Sequence, residues 1–115
     1  MAKIFTTQLT ELNLDAAEVL GSVIQIPVDI YRASLPASVK SDRVALIAAT
    51  LDGENAESHV FNPYEDHILL IGDPVNIGLV FSLAASRAID AGCSSLKTLR
   101  WDRQRVTYIP VEVTL

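Results

Sequence analysis

The sequence predicts a small α/β domain, a mixed sheet with one parallel βαβ crossover and a C-terminal β-hairpin, in a single domain over residues 1–115. Three observations predict it. Ile68-Leu69-Leu70-Ile71 is a continuous apolar run, the pattern of a strand covered on both faces. A tight turn, Gly72-Asp73-Pro74, leads from it into a long apolar helix pattern. The helix gives way at Gly92 to a second strand, Leu96 to Trp101, and strand, helix, strand in this order marks a parallel crossover.

The preceding elements follow from local chemistry. Lys3 to Gln8 reads as a short first strand, with Ile4 and Phe5 as β-formers. Asn13 to Leu20 is too short to carry a decisive period. From Gly21, Ile24, Ile26, Val28 and Ile30 alternate with Gln25, Pro27, Asp29 and Tyr31, the period of a half-buried strand. Pro27 cannot donate to a ladder, so this strand belongs at an edge or carries a bulge. Ser41 is placed to cap a helix in which Val44, Ile47, Ala48 and Leu51 recur at i, i+3, i+4 and i+7, ending at Gly53. A strand over Arg43 to Ala49 is the competing reading. Asp52 to Asp66 is acidic and interrupted by Asn62-Pro63, which predicts a surface loop.

In the crossover, Asp73 is placed as N-cap, Pro74 sits where a missing amide costs nothing, and Gly92 suits a left-handed stop. At 100° per residue, Ile77, Phe81, Ala84, Ala85 and Ala88 share the face expected on the sheet. The opposite arc holds Asn76, Ser86, Arg87 and Asp90, but also Leu79, Val80 and Leu83. A solvated face does not carry those three apolar residues, so another element or another subunit must cover them. The second option makes Leu79, Val80 and Leu83 an expected homo-oligomer interface. The hairpin joins Leu96–Trp101 to Val106–Val113. Thr107, Ile109, Val111, Val113 and Leu115 lie on one face, Tyr108, Pro110 and Glu112 on the other, and Pro110 again suggests an edge.

Composition narrows the function classes. Apolar residues make up 50% of the chain and charged ones 20%, a somewhat apolar globular domain. The longest uncharged stretch, Pro74 to Ser86, is too short to span a bilayer. No secretory signal pattern follows Lys3, and the single Cys93 allows no internal disulfide; both favour a reducing, cytoplasmic setting. Cys93 follows Gly92 at a helix end with no histidine or cysteine beside it, which reads as a structural thiol. The net charge of −5 disfavours duplex nucleic acid as a partner. Its distribution is uneven: residues 87–105 balance at +3 and the remainder at −8.

No residue set meets the standard of a catalytic or metal-binding signature, and no cofactor motif is present. His59 and His67 match no compact metal-ligand spacing, Ser82 and Ser86 lack a nucleophile elbow, and the Gly72-Asp73-Pro74 turn lacks a phosphate-binding glycine pattern. Asp73 moreover puts a carboxylate where a phosphate would sit. The positive region is different: Arg100, Arg103 and Arg105 lie beside Trp101 and Tyr108, residue types that hold an anion and stack on a ring. The competing reading is a solvated hairpin tip with tryptophan packed under arginine stems.

The segment Phe61-Asn62-Pro63-Tyr64-Glu65-Asp66-His67, the following Ile68 to Pro74, the apolar helix, Leu99-Arg100-Trp101-Asp102-Arg103-Gln104 and Tyr108-Ile109-Pro110-Val111 together resemble a family of short bacteriophage proteins. The likeness covers residues 61–113, about half the chain, and implies a viral origin and little chemistry. Two functions remain open. One is a phage accessory protein that binds, as a homo-oligomer, a host protein or a virion component, in the host cytoplasm or the virion. The other is a protein that sequesters or processes a small anionic ligand such as a signalling nucleotide.

Overall fold

The computed structural model describes residues 2–7, 13–26, 28, 43–54 and 59–115. Among them the chain runs β1 (Lys3–Thr6), α1 (Leu14–Glu18), β2 (Ser22–Gln25), α2 (Arg43–Leu51), β3 (His67–Leu69), α3 (Pro74–Asp90), β4 (Ser95–Asp102) and β5 (Thr107–Thr114). One five-stranded sheet has the order β2-β1-β3-β4-β5. The expected crossover is present: β3 and β4 are parallel, with Ile68 opposite Thr98 and Leu69 opposite Leu99. β4 and β5 form the expected antiparallel hairpin. β1 also pairs parallel with both β2 and β3, so α1, over the stretch whose period was indecisive, lies in a second crossover. Ser41, Pro27 and residues 29–31 of the expected second strand lie outside the described residues.

Each helix end has a local cause. The Asp73 carboxylate accepts the Val75 N–H at the N-terminus of α3, Pro74 occupies the first turn, and Gly92 closes the helix at φ +84°. α2 follows the expected helical reading and ends before Gly53, at φ +75°. Its inner residues are Ile47, Thr50 and Leu51, whereas Val44 is exposed. Thr50 is buried without penalty because its hydroxyl donates to the Leu46 carbonyl at 2.9 Å.

Two hydrophobic layers flank the sheet. Phe5, Ile68 and Leu96 face α2 and α3, together with Ile26, Val28, Ile47, Leu51, Val80, Ala84 and Ala88. Ile4, Leu69, Leu99 and Tyr108 face the other way, under Ala17 of α1. The buried line of α3 is Asn76, Val80, Ala84 and Ala88, one residue every helical turn. This corrects the expected placement of two residues: Val80 is 2% exposed inside the chain's own core, and Asn76, expected on the solvent side, is buried. The cover comes from α2. Arg43 donates to Asn76 Oδ1 at 3.1 Å, and Arg87 forks onto Asp52 at 2.8 and 3.0 Å, so α2 is fastened along the flank carrying Leu79 and Leu83. Both leucines are half-buried against the core. The Arg87 guanidinium holds the Asp52 carboxyl below its ordinary value.

The expected surface loop before β3 contains a wholly buried carboxylate, Asp66. Its Oδ1 accepts the Lys3 N–H at 2.8 Å; its Oδ2 accepts the Asn62 N–H at 2.7 Å and lies 2.9 Å from His59 Nε2. Phe61 is carried inward by the same turn and meets Phe5 edge-to-face, centroids 5.6 Å apart. Residues 59–66 are therefore structural, and the acidic character of the stretch hides a residue that joins β1 to the entrance of β3.

Candidate binding surfaces

The strand alternation of the hairpin decides which sequence-predicted residues meet. Trp101 and Tyr108 are direct cross-strand partners on one face. The Leu70 N–H donates to the Leu99 carbonyl at 2.9 Å, so the backbone groups of Leu99, and by the period of two those of Trp101, point toward β3. Trp101 and Tyr108 thus form a non-hydrogen-bonded pair, in which side chains approach most closely. Their ring centroids are 4.9 Å apart at 67°, an edge-to-face contact. The Tyr108 hydroxyl accepts the Asn13 N–H at 3.1 Å, and the Asn13 side chain accepts the Ala16 N–H at the start of α1. The short helix is in this way fastened to the hairpin.

Between them lies a cleft of about 420 Å³ lined by Asn13, Ile71, Trp101, Arg103 and Tyr108. It lies beyond the carboxyl end of β3, the region where parallel sheets receive ligands. Trp101 is half-buried there and Arg103 is exposed. Asp102 accepts the Gln104 and Arg105 N–H groups at 2.9 and 3.3 Å and lies 3.7 Å from the Arg105 guanidinium. Arg103 has no carboxylate partner among the described residues.

The predicted cluster therefore divides. Trp101, Arg103 and Tyr108 line one cleft. Arg100 projects from the opposite sheet face, opposite Ile109, and Arg105 is turned to its own Asp102. Among the described residues Asn13 and Ile71 also line the cleft; Ile71 was legible as the last apolar residue before the Gly72 turn, whereas Asn13 is brought in from a distant part of the chain. A second hollow, of about 230 Å³, lies at the amino end of β4 among Tyr64, Cys93, Ser95 and Lys97. There the Tyr64 hydroxyl donates to the Ala91 carbonyl at 2.5 Å, and the neighbouring Cys93 raises the tyrosine pKa. No three His, Cys, Asp or Glu side chains among the described residues converge as metal ligands.

The sheet face toward α3 shows another feature. Ile109, Val111 and Val113 form a half-buried row on β5, opposite Arg100, Thr98 and Leu96 of β4 and on the sheet face away from α1. On α3, Ile77, Phe81 and Ala85 are half-buried, the last two against the core, and Ile89 is exposed. The edge itself is guarded. Because Leu99 bonds toward β3, Arg100 and Thr98 bond toward β5, and the outward backbone positions of β5 include Tyr108, Pro110 and Glu112. Pro110 places its missing N–H on the free side of the sheet and interrupts the row of donors that another strand would need.

No described helix is long and apolar enough to cross a membrane. No curated protein and no solved structure matches the chain. The Phage Pam3 gp32-like protein family matches residues 6–115, which extends the likeness to phage proteins across the segment 9–60, where the sequence motifs had shown little. The chain belongs to the Phage Pam3 gp32-like protein family, and is a bacteriophage protein.

Proposed function

We propose that this phage protein acts by binding, as a self-associating accessory protein that works in the host cytoplasm or in the virion. The observation that carries the reading is the half-buried row Ile109, Val111 and Val113 on the sheet face that also carries α3, together with the exposed Ile89 of α3. These apolar positions keep part of their surface open, most of all Ile89 at 59%, and burial of apolar surface is the main driving force for association. The partner we assign is a second copy of the chain, in place of the Leu79, Val80 and Leu83 patch suggested by the helical wheel. Pro110 opposes extension of the sheet from edge to edge, so the contact is face to face and closes about a two-fold axis.

Sedimentation velocity of the purified protein across the micromolar range tests this. The reading expects a dimer that dissociates on dilution. A sedimentation coefficient that stays monomeric throughout contradicts it and leaves these positions as ordinary exposed apolar surface.

A further inference from the structure

We infer that the cleft between α1 and the hairpin binds a small ligand that joins a planar heteroaromatic ring to an anionic group, of the class of a nucleoside monophosphate. The inference is independent of self-association, since Trp101 and Tyr108 lie on the sheet face opposite the Ile109, Val111 and Val113 row. The size is suitable: about 420 Å³ falls within the roughly 300–1,000 Å³ of small-molecule sites.

Three groups supply the recognition. Trp101 is half-buried, lines the cleft and is held by its edge-to-face contact with Tyr108, a fixed aromatic surface for a ring. Arg103 brings a planar fork of donors whose charge no carboxylate among the described residues compensates, because Asp102 is committed to Arg105 and to the turn backbone. Tyr108 accepts from Asn13, so its own hydroxyl proton remains to donate to a ligand oxygen. On a chain of net charge −5, an anion is repelled from most of the surface and drawn to this corner.

Trp101 is the only tryptophan, so its fluorescence reports on this cleft alone. We would titrate the intact protein with adenosine 5′-monophosphate, adenosine and inorganic phosphate separately. The monophosphate is expected to quench Trp101 saturably, adenosine to bind about tenfold more weakly for want of the charge-assisted contact, and phosphate alone to give no response. Arg103→Gln should weaken the monophosphate about tenfold without changing adenosine, whereas Arg105→Gln should change neither. Calorimetry with Trp101→Phe should show weaker binding in a folded protein. Absence of saturable binding of the monophosphate overturns the inference. So does equal binding of adenosine and monophosphate that is indifferent to Arg103, and so does a phosphate response equal to that of the nucleotide.

Discussion

The Asp66 carboxylate accepts the backbone N–H of Lys3 at 2.8 Å, joining the first residue of β1 to the residue just before β3. These positions are 63 residues apart in the chain and neighbours in the parallel sheet. Asp66 is 0% exposed, so the bond is made where water cannot replace it. Asp66→Ala would strand the Lys3 and Asn62 N–H groups as well as create a void. The expected loss is about 2–4 kcal/mol of unfolding free energy, measured by urea denaturation. Asp66→Asn, which keeps an acceptor, should cost clearly less.

His67 predicts a pH dependence. It is half-buried, its Nδ1 is buried without a hydrogen-bond partner among the described residues, and burial followed by the charge of Lys97 lowers its pKa below 6.5. Asp66 and Glu112 oppose the shift and do not reverse it. The unfolded chain therefore takes up a proton at a pH where the folded one does not, so stability rises with pH through this window. Denaturation midpoints should fall as the pH is lowered through and below 6.5. In His67→Gln that part of the slope should disappear, leaving the carboxylate contributions of Asp52 and Glu112 at lower pH.

Val106 stands at φ +52° in the hairpin turn and is 62% exposed. A β-branched residue in the left-handed region is strained, and little packing is gained in exchange. Val106→Asn should stabilise the fold by about 0.5–1.5 kcal/mol, read from the thermal midpoint. An unchanged or lowered midpoint would show that the turn relieves the strain in another way.

The fold was legible where one period dominates. The Ile68 to Ile71 run, the Asp73-Pro74 cap and the Gly92 stop prescribe the crossover from local chemistry alone, and β4 and β5 alternate as their residues require. The second crossover was not legible, because α1 has only five residues and its stability comes from Tyr108 and Asn13, not from its own pattern. Val80 was assigned to the wrong side because a helical wheel has no knowledge of α2, which supplies a second covered arc. The hairpin cluster showed the opposite failure. Arg100 and Trp101 are adjacent in sequence and so must face opposite ways on a strand, a separation that charge counting ignores. Asp66 left no local signal, since two of its three partners come from Lys3 and His59 through folding.

Pro110 is expected to act as a guard on the β5 edge. Pro110→Val restores a donor at an outward position in a β-forming context, so monomer stability should change by less than about 1 kcal/mol. Light scattering should instead show larger, concentration-dependent assemblies. A variant that scatters like the wild type would mean that the charges of Lys97 and Glu112, paired at 2.9 Å, already guard the edge.

The central claim, self-association through the sheet face that carries α3, is tested most directly by comparing two variants in sedimentation equilibrium. Ile89→Asp with Ile109→Glu alters that face: Ile89 is 59% exposed, and a carboxylate at 109 lies opposite Arg100, so the fold is retained. Leu83→Asp alters the α2-covered flank instead. The account predicts that the first variant is monomeric and as thermally stable as the isolated wild-type monomer, whereas the second is destabilised yet still dimerises. A first variant that dimerises like the wild type, or a second that is a stable monomer, would contradict it.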